Sequence, residues 1–114
     1  MMVDTTPGVP INAEVLHNYF RRLVNHFFKI LPMRENNEES LATYMKSLQV
    51  ELLGCRGLIT AIHDDSNYLT ILAILQYLID NPDCSVSEVK REVFRAISIC
   101  NKLQSKFLSE EVPL

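Results

Sequence analysis

Three histidines, three cysteines and one pair of adjacent aspartates are the residues of this chain best suited to chemistry: His17, His26, His63, Cys55, Cys84, Cys100 and Asp64-Asp65. A metal site on a helix face needs two ligands one turn apart, and no two histidines stand at i, i+4. Ferritin-like bundles turn a tetrad of carboxylate and Glu-x-x-His motifs inward, and no such tetrad occurs here. An odd number of cysteines without Cys-x-x-Cys spacing reads as reduced thiols. Cys55 and Cys100 fall at core positions of helical repeats, where a small inert thiol packs well. Cys84 lies beside Asp83, whose charge disfavours a thiolate. Two aspartates without further ligands cap a helix more readily than they hold a hard cation. These residues therefore assign no catalytic, metal or cofactor site and no small-molecule ligand, and the expectation is a protein that is not an enzyme.

Charge gives a second set of candidates. Arg21, Arg22, Lys29 and Arg34 oppose only Glu14, so the first helical segment carries +3 within a chain of net charge -3. With His26 they form a candidate surface for an anionic partner, nucleic acid or acidic protein, against the plainer reading of a solvated helix face. The segment ILAILQYLIDNPDCSVSEVKREV looks like the opening of winged-helix and helix-turn-helix regulators: an apolar helix, an Asn-Pro turn, then a Ser-capped helix. Contacts to DNA would fall to Arg91, Arg95, Lys102 and Lys106. The turn between the two motif helices is missing, however, because Val93-Phe94-Arg95-Ala96-Ile97 contains nothing that stops a helix. No glycine-tipped wing follows.

The elements that must position these residues are helices. Only 3 glycines in 114 residues leave little material for hairpins or phosphate-cradling loops. Residues 1–11, with Pro7, Gly8 and Pro10, read as a flexible arm, and 12–109 as one domain of a length that buries roughly two thirds of the surface the unfolded chain exposes. Asn12 is placed to cap a first helix and Pro32 to stop it. Asn36 and Glu39 match a capping box opening a second helix, in which Leu41, Met45, Leu48, Leu52, Cys55, Ile59 and Ile62 keep a heptad register to His63. Gly54 and Gly57 either interrupt that helix or admit another one closely; the unbroken register favours close approach. Asp64, Asp65 and Ser66 offer caps for a third helix that ends at Asn81-Pro82. Ser85 and Glu88 open a fourth, with Val86, Val89, Val93, Ala96, Cys100, Leu103 and Phe107 in a second heptad register. Residues 110–114 read as a frayed acidic tail. The expected fold is all-α, a four-helix antiparallel bundle on two long heptad-patterned helices.

The third helix has almost no polar face: between Tyr68 and Ile79 only Thr70 and Gln76 are hydrophilic. A monomer should leave one helix face wet, so Tyr68, Ile71, Leu72, Leu75 and Ile79 are the candidate surface for a second copy or another protein partner. This apolar window is about twelve residues long where a membrane span takes roughly twenty, so no membrane is expected. The absence of a basic, apolar leader and the reduced thiols suggest the cytoplasm.

The runs FFKILPMRENNEESLATYMKSLQVELLGCRGLI and LQYLIDNPDCSVSEVKREVFRAISICNKLQ resemble small helical proteins carried by prophages and mobile elements of gut-type Firmicutes. That resemblance implies a bacterial cytosolic accessory protein, regulatory or directed against a host defence system, and it transfers no functional residue. The reading taken forward is a non-enzymatic protein-interaction module acting as a homodimer. A DNA-binding regulator with a degenerate helix-turn-helix is the alternative.

Overall fold

Helix α1 spans Ala13–Glu35, α2 Leu41–Leu58, α3 Thr60–His63, α4 Ser66–Asp80 and α5 Val86–Glu111. This is a computed structural model, describing residues 2–3 and 11–111, with side chains described for 13–59 and 61–107. The only other regular structure among the described residues is a minimal antiparallel pairing of β1, Met2–Val3, with β2, Ile11–Asn12. The remainder of the expected arm, and residues 112–114 of the expected tail, lie outside the described residues. The domain is all-helical, and no helix among the described residues is long and apolar enough to cross a membrane.

Pro32 does not stop α1, contrary to the sequence expectation; it sits inside the last turn. Proline has no N–H to donate to the Phe28 carbonyl, and both residues are exposed. The helix ends instead in a Schellman motif: Glu38 N–H donates to the Met33 carbonyl at 3.0 Å and Asn37 N–H to that of Arg34 at 3.1 Å. Asn37 takes the left-handed conformation this requires, φ 52°. Asparagine adopts that conformation more readily than other non-glycine residues. The expected Asn36/Glu39 capping box is therefore replaced: Asn36 belongs to the end of α1, and α2 starts after Ser40, whose side chain makes no cap hydrogen bond.

The second helix does break, and at neither glycine. Ile59 is extended (φ -114°, ψ 108°) and separates α2 from the single turn α3. Two consecutive β-branched residues, Ile59-Thr60, are poor helix formers. The break is clasped by Arg56, whose Nε donates to the His63 carbonyl at 2.7 Å, while His63 Nδ1 lies 3.1 Å from the Arg56 carbonyl. Ile59 and Ile62 both still reach the core. Gly54 and Gly57 lie within α2, and a Cβ built on either meets nothing within 4 Å, which corrects the expectation of close helix approach there.

Both heptad registers face inward except at Val86, which is exposed in the first turn of α5, while Leu41 and Cys55 are half-buried. Met45, Leu48, Leu52, Ile59 and Ile62 from the first, and Val89, Val93, Ala96, Cys100, Leu103 and Phe107 from the second, are buried. α5 is continuous through residues 93–97, as its uninterrupted register predicts. Its start is capped by Ser85, whose Oγ accepts from the Glu88 N–H at 3.1 Å. α1 lies along α5 in the opposite direction, with Phe20 stacked on Phe107 (5.8 Å) near one end and Phe28 edge-on to Phe94 (5.9 Å) near the other. Tyr68 of α4 is fully buried, meets Phe20 edge-on at 6.0 Å, and donates its hydroxyl to the Leu52 carbonyl of α2 at 2.6 Å. This aromatic centre joins all four long helices.

Candidate interaction surfaces

The apolar third helix of the sequence, α4, is covered by its own chain. Tyr68, Ile71 and Leu75 are 0% exposed, and Leu72 and Ile79 are half-buried against the core. The surface expected from these five residues is thus not free. Ile74 and Leu78 are buried on the same side, while Leu69, Ala73, Gln76 and Tyr77 are exposed on the other, so the wet face of this helix is not the one the sequence reading named. Its entry is fixed by Asp65, whose Oδ1 accepts from the Tyr68 N–H at 3.0 Å and whose Oδ2 pairs with Lys106 at 3.0 Å.

The two most exposed large apolar side chains among the described residues are on α2. Val50 is 70% exposed, Leu53 49% and Leu58 56%, on the side of the helix opposite Met45, Leu48 and Leu52. At 100° per residue Val50, Leu53, Gly54, Gly57 and Leu58 share one stripe, with Thr43, Lys46 and Ser47 continuing it toward the N-terminus. A helix with apolar residues on both sides is the arrangement sequence reasoning ascribed to α4. The signal was present as a second i, i+3, i+7, i+8 series from Val50, hidden because the heptad series from Leu41 had already accounted for the helix.

Between α1 and α2 runs a polar seam. Tyr19 donates its hydroxyl to Glu51 Oε2 at 3.0 Å, and His26 Nδ1 lies 3.0 Å from the Tyr44 hydroxyl, which itself reaches the His26 carbonyl at 3.2 Å. Desolvation, and then the nearby Cys55 and Tyr68, push the Tyr19 hydroxyl far above the ordinary tyrosine range. Burial also raises Tyr44, with Glu51 adding to the effect. Groups that hold their protons this firmly build structure; they do not exchange protons near neutral pH.

The cysteines behave likewise. Burial pushes the Cys100 thiol up to about 12. Cys55 is raised mainly by burial, a hydrogen bond with Tyr19 partly offsetting it. Cys84 is raised by burial and then by Glu88, so the carboxylate acting on it is Glu88 of α5, not its neighbour Asp83. None of the three environments favours the thiolate a nucleophile needs. Among the described residues no group of three or more His, Cys, Asp or Glu side chains is placed to hold a metal ion.

The basic candidates separate into two places. Arg21, Arg22 and Lys29 are exposed on the outer face of α1. His26 is half-buried in the seam, and Arg34 is half-buried on a different side of the helix, where its Nη2 donates to the Cys84 carbonyl at 2.8 Å and its Nη1 to Asn37 Oδ1 at 3.2 Å. On α5, Arg91 pairs with Glu92 (3.2 Å) and Glu88 (3.5 Å), Arg95 with Glu92 (3.2 Å) and Lys106 with Asp65, while Lys102 is exposed and makes no ion pair among the described residues. Three of the four candidate DNA contacts are thus already matched by carboxylates of the same domain. Comparison with known proteins adds no name to this geometry: no family model, curated protein or solved structure matches the chain.

Proposed function

We propose that this protein acts by binding, as an interaction module whose partner is a second copy of the same chain joined through the outer face of α2. The observation that carries this reading is the exposure of Val50, Leu53 and Leu58 on a face that carries Lys46 and is bordered by Glu51. Exposed apolar side chains gathered on one element, rather than scattered singly, mark interaction sites. The face also has the form a self-complementary contact needs: the branched side chains of Val50, Leu53 and Leu58 stand beside Gly54 and Gly57, so ridge and hollow occur in the same patch. α2 is 18 residues long. At about 27 Å by about 10 Å its face covers roughly 300 Å², against roughly 800 Å² per partner in a standard interface. Flanking parts of α1 and α4 must then contribute, and the expected affinity is micromolar.

The architecture we propose for this module is a four-helix antiparallel bundle of α1, α2, α4 and α5, with α3 as an interruption. It is supported by opposed pairings such as Tyr19 with Glu51, Gln49 with Gln76, Tyr77 with Glu88 and His17 with the Gln104 carbonyl. A binding role also fits the resemblance to mobile-element accessory proteins, regulators or inhibitors of a host system, which act by occupying a partner. Sedimentation equilibrium from 1 to 500 µM tests the reading: a reversible monomer–dimer equilibrium is expected, and a strict monomer throughout refutes it.

A second reading rests on the exposed Arg21, Arg22 and Lys29, which make no ion pair among the described residues and suit an anionic partner such as nucleic acid. Phosphate contacts weaken steeply with salt. DNA binding at 50 mM salt that falls at 200 mM and is lost in the triple alanine variant would support it; no binding at 50 mM would exclude it.

A further inference from the structure

Where α1 ends and α2 begins, the helices leave a cavity of about 300 Å³ whose floor includes Met45, Leu78 and Ile79 and whose wall holds Arg34. The Arg34 guanidinium is half-buried and bonded only to neutral acceptors, Asn37 and the Cys84 carbonyl. Its Nε–H is buried without a partner, and among the described residues no carboxylate stands within ion-pair distance. A partly desolvated cation with no counter-charge is an unfavourable arrangement that an anion in the cavity would relieve. Glu38, Glu39 and Asp83 line the same cavity, exposed and likewise without an ion pair among the described residues. Three carboxylates against one cation repel a phosphate or any dianion, whereas a ligand bearing both charges satisfies both groups. The volume is at the lower end of the range of roughly 300–1,000 Å³ for ligand sites, enough for a single amino acid and too little for a nucleotide.

We propose that this cavity binds a small zwitterion with an apolar side chain, an apolar α-amino acid. Its carboxylate would meet Arg34, its ammonium group the Glu38, Glu39 and Asp83 rim, and its side chain the Met45, Leu78 and Ile79 floor.

Titration of the ¹⁵N-labelled protein with L-leucine, L-methionine and L-phenylalanine to 20 mM tests this. Saturable shifts of the Arg34, Asn37, Ala42 and Leu78 amides are expected with at least one of them. For that amino acid, N-acetylation and conversion to the amide should each weaken binding at least tenfold. Arg34→Gln should weaken it by a similar factor, and Ala42→Phe, which fills the cavity from an exposed helix position, should abolish it while leaving the thermal melt unchanged. Absence of saturable shifts with all three amino acids overturns the proposal. So does equal binding of the N-acetyl or amide derivative, or binding retained in Ala42→Phe, which decides the matter even if Arg34→Gln fails to fold.

Discussion

Replacing Val50 by aspartate probes the α2 face directly, because that residue is 70% exposed. Full burial of a valine contributes about 1.5–3 kcal/mol, so covering the exposed share in a dimer contributes about 1–2 kcal/mol per protomer. A twofold interface counts it twice. The substitution should therefore cost the dimer about 2–4 kcal/mol, before the added desolvation of two carboxylates, and raise the dissociation constant about 30- to 1,000-fold at 1.4 kcal/mol per decade. The protomer should keep its fold, since valine and aspartate have similar helix propensities. Val86→Asp is the control: that residue is 41% exposed but lies in the first turn of α5, where an acid is favoured by the helix dipole. Sedimentation equilibrium of the three proteins, with circular dichroism to verify folding, gives the answer. A Val50→Asp dissociation constant within twofold of the parent, or an equal change in Val86→Asp, would refute the assignment of the dimer to this face.

Three further outcomes follow from the core and caps. Phe20→Ala should destabilise by about 3–5 kcal/mol in urea unfolding, because a fully buried ring leaves a cavity beside Phe107 and Tyr68, whereas Phe28→Ala, 43% exposed, should cost about 1 kcal/mol; equal losses would contradict the burial. Raising the pH above 9 should destabilise the fold through Cys100. Its unfolded thiol ionises near 9 while the buried one stays protonated to about 12, so stability present below 9 is lost as pH rises, by about 2 kcal/mol between pH 9 and 11; in Cys100→Ala that part of the slope should vanish, and an unchanged slope would falsify it. Asp65→Ala should cost about 1 kcal/mol through the lost α4 cap, and Asp65→Asn should recover that part, since asparagine Oδ1 can accept the same Tyr68 N–H and only the pair with Lys106 is lost; equal losses in thermal melts would assign the effect to charge instead.

Helicity, the inward side of α2 and α5, and the continuity of α5 were legible in residue spacing alone, because a heptad register specifies both a helix and the direction it buries. Local chemistry could also be read where one side chain decides it, as at Asp65 and Ser85, which cap α4 and α5. Boundaries set by competition between neighbours were not. Pro32 is accommodated in the exposed last turn of α1, and the end of that helix depends on Asn37 accepting a positive φ, which the pair Asn36-Asn37 does not announce. Which apolar surface remains uncovered was also beyond the sequence. The stripes of α2 and α4 compete for the same core, and only packing decides that Tyr68 enters it to bond Leu52 while Val50, Leu53 and Leu58 stay outside. Periodicity is a property of one helix, whereas exposure depends on every helix packed around it.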